Sequence, residues 1–181
     1  MLVTACAQQG VPHAGMHVQR LGLQAGHCSD DPPWDTKKVK ARVEEFRTTF
    51  YRLRKARDTL SDDAYGAEVV AFLGRLRNTW ERAIEEYLFN EVIQRFGYGV
   101  KTLSLKTVDV AATDYAIIEA GMGVCSAWVH DPSQGLSSPP PTPQQLAEMV
   151  NDLVHWTQSV CARRKGANMT AIRPIETGMG A

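Results

Sequence analysis

The chain lacks two features that would assign it to a large class of proteins at once. None of its apolar runs approaches the roughly 20 residues that a helix needs to cross a bilayer. It has no excess of charge either, because 20 basic residues balance 20 acidic ones, whereas proteins dedicated to nucleic acid or to membrane surfaces usually carry a net charge. We therefore expect no membrane partner, and we expect any nucleic-acid binding to be local.

The cysteines also lack the spacing of a disulfide framework or of a zinc site. Cys6, Cys28, Cys125 and Cys161 stand far apart and form no Cys-x-x-Cys pair, which is typical of reduced thiols in a cytoplasmic protein. The histidines near Cys28 have none of the tight spacings of a zinc finger or ribbon. The sequence thus predicts a cytoplasmic protein with no bound metal or other cofactor.

The first 33 residues contain few helix signals and are rich in Gly, His and Pro. Residues 16–23 are the one candidate strand, with Gly26 and the run 30–33 among the breaks around it. One or two strands do not form a stable sheet by themselves. We expect residues 1–33 to be a short irregular or β arm that adds little to the stability of the rest.

Apolar residues recur at intervals of three and four in four later segments, which is the pattern of helices with one buried face. The first segment is residues 34–60, and the central one begins at a Ser61 cap and ends at residue 96, before Gly97. The third spans residues 113–129. The fourth begins at Thr142, where Gln145 completes a capping box, and ends at residue 166.

Four such helices with short connections favour a mainly α fold, an up-and-down bundle of about four helices. The bundle is assigned to residues 34–166 and a flexible tail to residues 167–181. The first and central helices are expected to pack as an antiparallel pair with Trp80 buried. Residues 100–110 are expected to be a short extended connector.

The third helix carries two apolar rows, one with Ile118 and Cys125 and one with Ile117 and Val124. Two adjacent rows predict a helix that is buried on most of its surface. Its glycines, Gly121 and Gly123, lower helix propensity by roughly 1 kcal/mol each and are best explained by another helix packing closely. Cys125 is assigned to the core rather than to catalysis, since it lies on an apolar row.

The first helix is strongly basic, with nine basic and four acidic residues between positions 35 and 58. The basic residues are Lys37, Lys38, Lys40, Arg42, Arg47, Arg52, Arg54, Lys55 and Arg57. Residues 61–99 carry seven acidic and four basic residues, so opposite charges could face each other across the antiparallel pair. The alternative is a phosphate-binding face along residues 37–57 that contacts RNA or DNA.

Three residues are candidates for chemistry. Arg82 and Glu86 stand four apart, on one side of adjacent turns of the central helix. His130 lies where the third helix opens into a proline-rich loop, a location that suits general acid or base work because imidazole titrates near neutral pH. Together they would supply a cation for a phosphate and two groups for proton transfer, as in metal-independent RNA cleavage. The alternative is a solvent-facing histidine at a helix C-terminus.

The order of four segments resembles the C-terminal part of bacterial P-loop ATPases of the SMC and ABC-like kind, the class that includes anticodon nucleases of the RloC and PrrC type. The segments are GVPHAGMHVQRLGLQAG, PPWDTKKVKAR, LRNTWERAIEEYLFNEVIQRF and EAGMGVCSAWVHD. The resemblance implies that the arm is similar to the last strands of an ATPase head and that the helices are the tail that follows it. It also implies a truncated or split member, with a separate ATPase-head protein or a second copy as partner.

The chain has no Walker A pattern, so no ATPase activity of its own is expected. The tail of the nuclease members is similar to HEPN-type ribonuclease bundles, whose motif places an Arg shortly before a His. No Arg stands at that spacing before His130, and the triad attributed to such nucleases maps loosely onto Arg82, Glu86 and His130. The resemblance favours an interaction or regulatory module of an ATPase-linked defence or DNA-maintenance protein, with a metal-independent endoribonuclease as the alternative.

Overall fold

A computed structural model describes residues 17–21, 24–29, 31–95, 97, 99–130, 139–164 and 172–177. Four long helices dominate these residues, as predicted: α1 (Val39–Ala56), α2 (Asp62–Ala83), α3 (Ala112–His130) and α4 (Pro143–Arg163). A π-helical turn, Ile84–Leu88, continues α2. Short 3-10 turns, Trp34–Thr36 and Thr102–Thr107, precede α1 and α3. No helix in these ranges is apolar over a stretch long enough to span a membrane.

The first two helices form the predicted antiparallel pair. At one end of the pair, the amide of Val39 in α1 donates to Oε2 of Glu86, beyond the end of α2, at 3.1 Å. At the other end, Arg52 of α1 pairs with Glu68 of α2 at 2.7 Å. Trp80 of α2 is 1% exposed. Both the antiparallel packing and the burial of Trp80 are therefore confirmed.

Helix α3 runs antiparallel to α2 and approaches it closely at a glycine. Arg77 of α2 donates to the hydroxyl of Ser126 in α3 at 3.1 Å. A Cβ atom built on Gly121 would lie 2.4 Å from the Trp80 ring, so the predicted close packing at this glycine is confirmed. The same prediction for Gly123 is wrong, because a Cβ there meets no atom within 4 Å; its position on α3 points away from the bundle.

Helix α4 runs parallel to α2, which completes the alternation of directions. Before α4 begins, the carbonyl of Pro141 accepts a 2.6 Å hydrogen bond from the hydroxyl of Tyr65, near the start of α2. Just after α4 ends, Arg164 donates to the carbonyl of Leu88, at the end of the π-turn, at 2.6 Å. The helices thus alternate in direction, and the mainly α up-and-down bundle is confirmed.

The helix ends follow the sequence prediction where the signal is local. The predicted capping box of Thr142 and Gln145 is present in full. The central helix, in contrast, ends with the π-turn Ile84–Leu88 and does not continue to residue 96. Helix α1 begins at Val39 because a 3-10 turn occupies the residues before it. The expected extended connector contains a 3-10 turn, although Val100 does form one isolated bridge.

The N-terminal arm contains a β-hairpin. Strands β1 (His17–Leu21) and β2 (Gln24–Ser29) pair antiparallel. The candidate strand at residues 16–23 therefore corresponds to β1 and is followed by a second strand. Gly26 lies inside β2, at φ 81°, and does not interrupt it as expected. In the part of the arm that the structure describes, neither strand packs extensively against a helix.

Of the expected flexible tail at residues 167–181, the structure describes residues 172–177; the other positions of the tail lie outside the described residues. Residues 172–177 lie extended along the bundle and belong to its core. Ile172 and Ile175 are each 2% exposed and join the apolar cluster formed by the four helices. A prediction from helical periodicity misses this segment because it is neither helical nor long.

Candidate functional site

The predicted polar site lies where α2 changes from an α- to a π-helix. The amide of Phe89 donates to the carbonyl of Ile84, five residues earlier, at 2.9 Å. Asn90 and Glu91 then adopt left-handed conformations, with φ 48° and 54°, and the helix ends. Because π-turns and left-handed residues other than glycine are frequent at functional sites, this segment is the first candidate.

Arg82 and Glu86 lie side by side at this turn, as expected from their spacing. Arg82 Nε is 3.7 Å from Glu86 Oε2, and the other guanidinium nitrogens face Glu85 at 3.0 Å and Glu91 at 3.8 Å. Arg82 and Glu86 are 8% and 9% exposed. Further cations pair with Glu85 and Glu91, so Arg82 belongs to a partly buried network of paired charges.

Glu86 has a structural role in this arrangement. Its Oε2 accepts the amide of Val39, in the first turn of α1, where the N-cap residue Lys38 makes no side-chain cap. A carboxylate at a helix N-terminus is also favoured by the helix dipole. Burial raises the pKa of Glu86, although the Val39 amide, Lys38 and Arg82 act in the opposite direction. Glu86 is thus the cap of α1, supplied from the end of α2.

The helix register separates His130 from this cluster. Arg77 contacts Ser126, and Val129 lies beside Gly74, so the backbone of His130 lies near the level of Gly74. At a rise of 1.5 Å per residue, that level is about 12 Å along the axis from Arg82 and about 18 Å from Glu86. The side chain of His130 lies outside the described residues, and its proposed role in catalysis stays a prediction.

Cys125 belongs to the core, as predicted. It is 1% exposed and lies within the apolar cluster of the bundle. Burial raises the pKa of its thiol to about 12, so the thiol is protonated at neutral pH. Because the thiolate is the nucleophilic form, Cys125 offers no catalytic nucleophile.

The basic residues of segment 37–57 are largely paired within the bundle. The ion pairs are Lys37 with Asp31 and Glu45, Arg47 with Glu44, Arg52 with Glu68, and Arg57 with Asp62. Arg42 is fully buried, donates to three backbone carbonyl groups and lies over the Trp34 ring at 5.0 Å. Of these ion pairs, Arg52–Glu68 and Arg57–Asp62 join the segment to α2, in agreement with charge pairing across the hairpin; binding of RNA or DNA by this face stays a prediction.

A second candidate is the outward face of α3, formed by Ala116, Ile117, Ala120, Gly123 and Val124. The sequence predicts that the row with Ile117 and Val124 is buried. That prediction is wrong, because these two side chains are 40% and 44% exposed, and the small residues of the face are exposed as well. In the adjacent row Ile118 and Cys125 are buried as expected, whereas Tyr115 at the start of that row is 71% exposed. Helix α3 therefore presents an apolar surface to solvent.

This face borders a groove of about 490 Å³ between α3 and α4. The groove is lined by Trp80, Ile117, Ala120, Gly121, Val124, Met149, Asp152, His155, Trp156 and Ser159. The rings of Trp80 and Trp156, 5.5 Å apart, form its apolar floor, and Asp152 and His155 supply polar groups. Apolar pockets with a few polar groups are typical ligand or partner sites.

The sequence signal for the outward face is the scarcity of charge on α3. Asp114 and Glu119 are the charged residues of α3 before His130, and Asp114 is buried. A solvent-facing helix usually carries charged residues along its outer side. Each helix of a four-helix bundle buries only one face. A helix with so few charged residues therefore leaves an apolar outer surface that is available to a partner.

Comparisons of this chain with protein-family models, with curated proteins and with solved structures gave no significant match. The function is therefore inferred from the residues and geometry described above.

Proposed function

We propose that this chain is a helical interaction module that associates with a second copy of itself through the outward face of α3. The exposure of Ile117 and Val124 on an almost uncharged helix supports this proposal, because contiguous exposed apolar patches mark interaction sites. By its resemblance to ATPase tails, the module would belong to an ATPase-linked defence or DNA-maintenance protein and would have no ATPase activity of its own.

The charge of the face favours a second copy as the partner. In a symmetric dimer the same surface meets itself, so a face with several charges of one sign would repel its copy. Before His130, the exposed charge of α3 is Glu119, at the edge of the face, while Asp114 is 1% exposed. Two copies can thus approach along α3 with little like-charge repulsion.

The shape of the face is also compatible with close helix packing. Ala116, Ala120 and Gly123 have small side chains, which let another helix approach closely. With 19 residues, α3 is about 28 Å long. A specific interface usually buries at least about 1,000 Å², so the adjoining groove must contribute, with Ile117 and Val124 of one copy entering the groove of the other.

The test is the oligomeric state of the full chain, measured by light scattering over a range of concentrations. We expect a dimer, and we expect Val124→Glu to give a monomer because a carboxylate would be buried against an apolar surface. Val110→Glu is the matched control, since Val110 is 58% exposed and lies outside the face. A monomeric wild type, or a Val124→Glu variant that still dimerises, would contradict the proposal; an ATPase-head protein as partner is a further outcome to be tested by co-purification.

The contact of Arg82 with Glu86 favours one alternative, a metal-independent endoribonuclease. A buried carboxylate with a raised pKa beside a guanidinium group is suited to proton transfer near a phosphate. The register of α2 and α3 is unfavourable to this alternative, because proton transfer requires contact within about 3 Å, directly or through one water. We therefore rank it second.

Expression toxicity separates the alternatives. A ribonuclease that uses His130 would be toxic on expression, and His130→Ala would abolish the toxicity without changing the fold. An interaction module would show equal growth for wild type and His130→Ala. Growth inhibition that persists in His130→Ala would exclude His130 as the catalytic group.

A further inference from the structure

The extended segment at residues 172–177 is held by side chains from two helices. Gln144, Asn151 and Gln158 of α4 stand seven residues apart, so they lie close to one line along the helix surface. Their amide groups contact the backbone of Thr177, Ile175 and Ile172 in reverse order. The segment therefore runs antiparallel to α4 along a row of amides.

The lengths of the two partners agree with nearly full extension. The 14 residues from Gln144 to Gln158 cover about 21 Å of helix. The five steps from Ile172 to Thr177 cover about 17 Å when extended, and side-chain reach accounts for the remainder. Each amide thus meets a successive part of an extended backbone, whose polar groups would otherwise need other partners.

Asn151 makes the most complete contact. Its Nδ2 donates to the carbonyl of Ile175 at 2.9 Å, and its Oδ1 accepts the amide of Ile175 at 2.6 Å. One side chain thereby pairs with both polar groups of one residue, as a neighbouring β-strand would. This contact recognises an extended backbone and is independent of the side chain at position 175.

Arg47 holds the segment from the side of α1. Its guanidinium donates to the carbonyl groups of Arg173 at 2.8 Å and Pro174 at 3.2 Å. Ile172 and Ile175 point into the core, at 2% exposed each. The site thus combines backbone hydrogen bonds from both helices with burial of two isoleucines three positions apart. Because the backbone bonds do not depend on the peptide sequence, the two isoleucines determine the specificity of the site.

We propose that the groove between α1 and α4 is a binding site for an extended peptide with two isoleucines three positions apart, and that residues 172–177 occupy this site within the same chain. The same segment of a second copy is the ligand that competes in trans, because it offers an identical backbone and the same pair of isoleucines. Extended peptides are commonly bound by main-chain hydrogen bonds and by pockets for particular side chains. This site uses α1 and α4 and is independent of the outward face of α3.

A labelled peptide with the sequence of residues 170–178 tests the proposal by fluorescence anisotropy with the full chain. In the wild type the tethered segment competes at an effective concentration that is typically in the millimolar range for short linkers. The variant Ile172→Asp/Ile175→Asp releases that segment. We expect it to bind the peptide at least about tenfold more tightly than the wild type does.

The groove itself is tested in the released variant. Adding Asn151→Ala removes two hydrogen bonds to the peptide and should weaken its binding about tenfold. Adding Glu148→Ala is the matched control, since Glu148 is exposed on the same helix and does not line the groove beside α3; it should leave the affinity unchanged. Equal affinity in wild type and released variant, or an Asn151→Ala change without effect, would overturn the proposal.

Circular dichroism establishes that the helices persist in the released variant. If the two Asp substitutions unfold the bundle, the single variant Ile175→Ala is used in their place, because it weakens the packing of the segment while keeping the position apolar. Peptide binding no tighter than that of the wild type would then overturn the proposal.

Discussion

Gly121 is the position at which a single side chain decides how two helices pack. The Trp80 ring occupies the space where a Cβ would stand. On the same helix, Gly123 is exposed and has open space around it. The two glycines are equivalent in helix propensity, so they provide a matched pair in which only the packing differs.

We predict that Gly121→Ala lowers the free energy of unfolding by about 1–3 kcal/mol, the usual cost of overpacking a core. Gly123→Ala should raise it by about 0.5–1 kcal/mol in the monomer, because alanine is the better helix former. Urea unfolding followed by circular dichroism measures both. Equal effects of the same sign would show that the Trp80 contact does not determine the choice of glycine.

Asp114 connects the start of α3 to α4. Its carboxylate accepts hydrogen bonds from the Ala111 amide at 2.8 Å, the Trp156 indole at 2.9 Å and Arg163 at 2.6 Å. Burial by itself would raise the pKa of Asp114, but these three donors outweigh it and hold the pKa below its ordinary value. The charged form is therefore the one that stabilises the fold.

Asp114→Asn should lower the free energy of unfolding at pH 7 by about 1–3 kcal/mol, since hydrogen bonds to a charged group are lost. Because the pKa of Asp114 is lower in the folded than in the unfolded state, the charged carboxylate stabilises the fold fully above the unfolded pKa of about 3.9. This stabilisation is lost as the pH falls through the folded-state pKa. The difference between wild type and variant should accordingly shrink toward pH 2. Urea titrations at several pH values measure it, and a difference that does not vary with pH would contradict this account.

Helix α1 depends on a residue far away in sequence for its cap. Glu86 reaches the Val39 amide across 47 positions, while Lys38 gives no side-chain cap. Such a cap can form only after α1 and the end of α2 have packed together. The start of α1 is therefore coupled to the π-turn.

Glu86→Gln should leave the free energy of unfolding at pH 7 unchanged or slightly higher, because the amide oxygen still accepts the bond and no charge is buried. Glu86→Ala should lower it by about 1–3 kcal/mol, since the Val39 amide loses its acceptor. Thermal and urea unfolding of both variants provide the measurement. Loss of stability in Glu86→Gln equal to that in Glu86→Ala would mean that the charge, and not the acceptor, is what the fold requires.

Local signals made some helix ends predictable, and tertiary contacts determined the others. The capping box at Thr142 involves residues three apart and could be identified from the sequence. The end of α2 could not, because Asn90 and Glu91 adopt left-handed conformations in which Glu91 pairs with Lys38 and Lys101. The outer row of α3 was misassigned because periodicity identifies an apolar face without identifying what covers it.

At the scale of the whole molecule, the arrangement of the candidate site residues could also be predicted only in part. The sequence places Arg82 and Glu86 on one side of a helix, and they do lie in contact. Their relation to His130 depends on the register of α3 against α2, which is set by Trp80 packing on Gly121. No spacing within one helix contains that information.

The two ends of the chain should contribute very differently to stability. Deleting residues 1–33 should shift the thermal midpoint by no more than about 4 °C, which corresponds to about 1 kcal/mol for a chain of this size. Deleting residues 172–181 should lower it by more, since each buried isoleucine contributes about 1.5–3 kcal/mol. Calorimetry of both truncated chains checks this, and a larger drop for the N-terminal deletion would refute the assignment of the arm.

The close packing of the Trp80 ring on Gly121 limits how α2 and α3 can move relative to each other. Sliding α3 along α2 by one turn, about 5.4 Å, would bring Ile117 or Cys125 against the indole ring, where there is no room even for a methyl group. This contact therefore fixes the register of the two helices, and sliding one along the other would require the Trp80 ring to leave its position against Gly121.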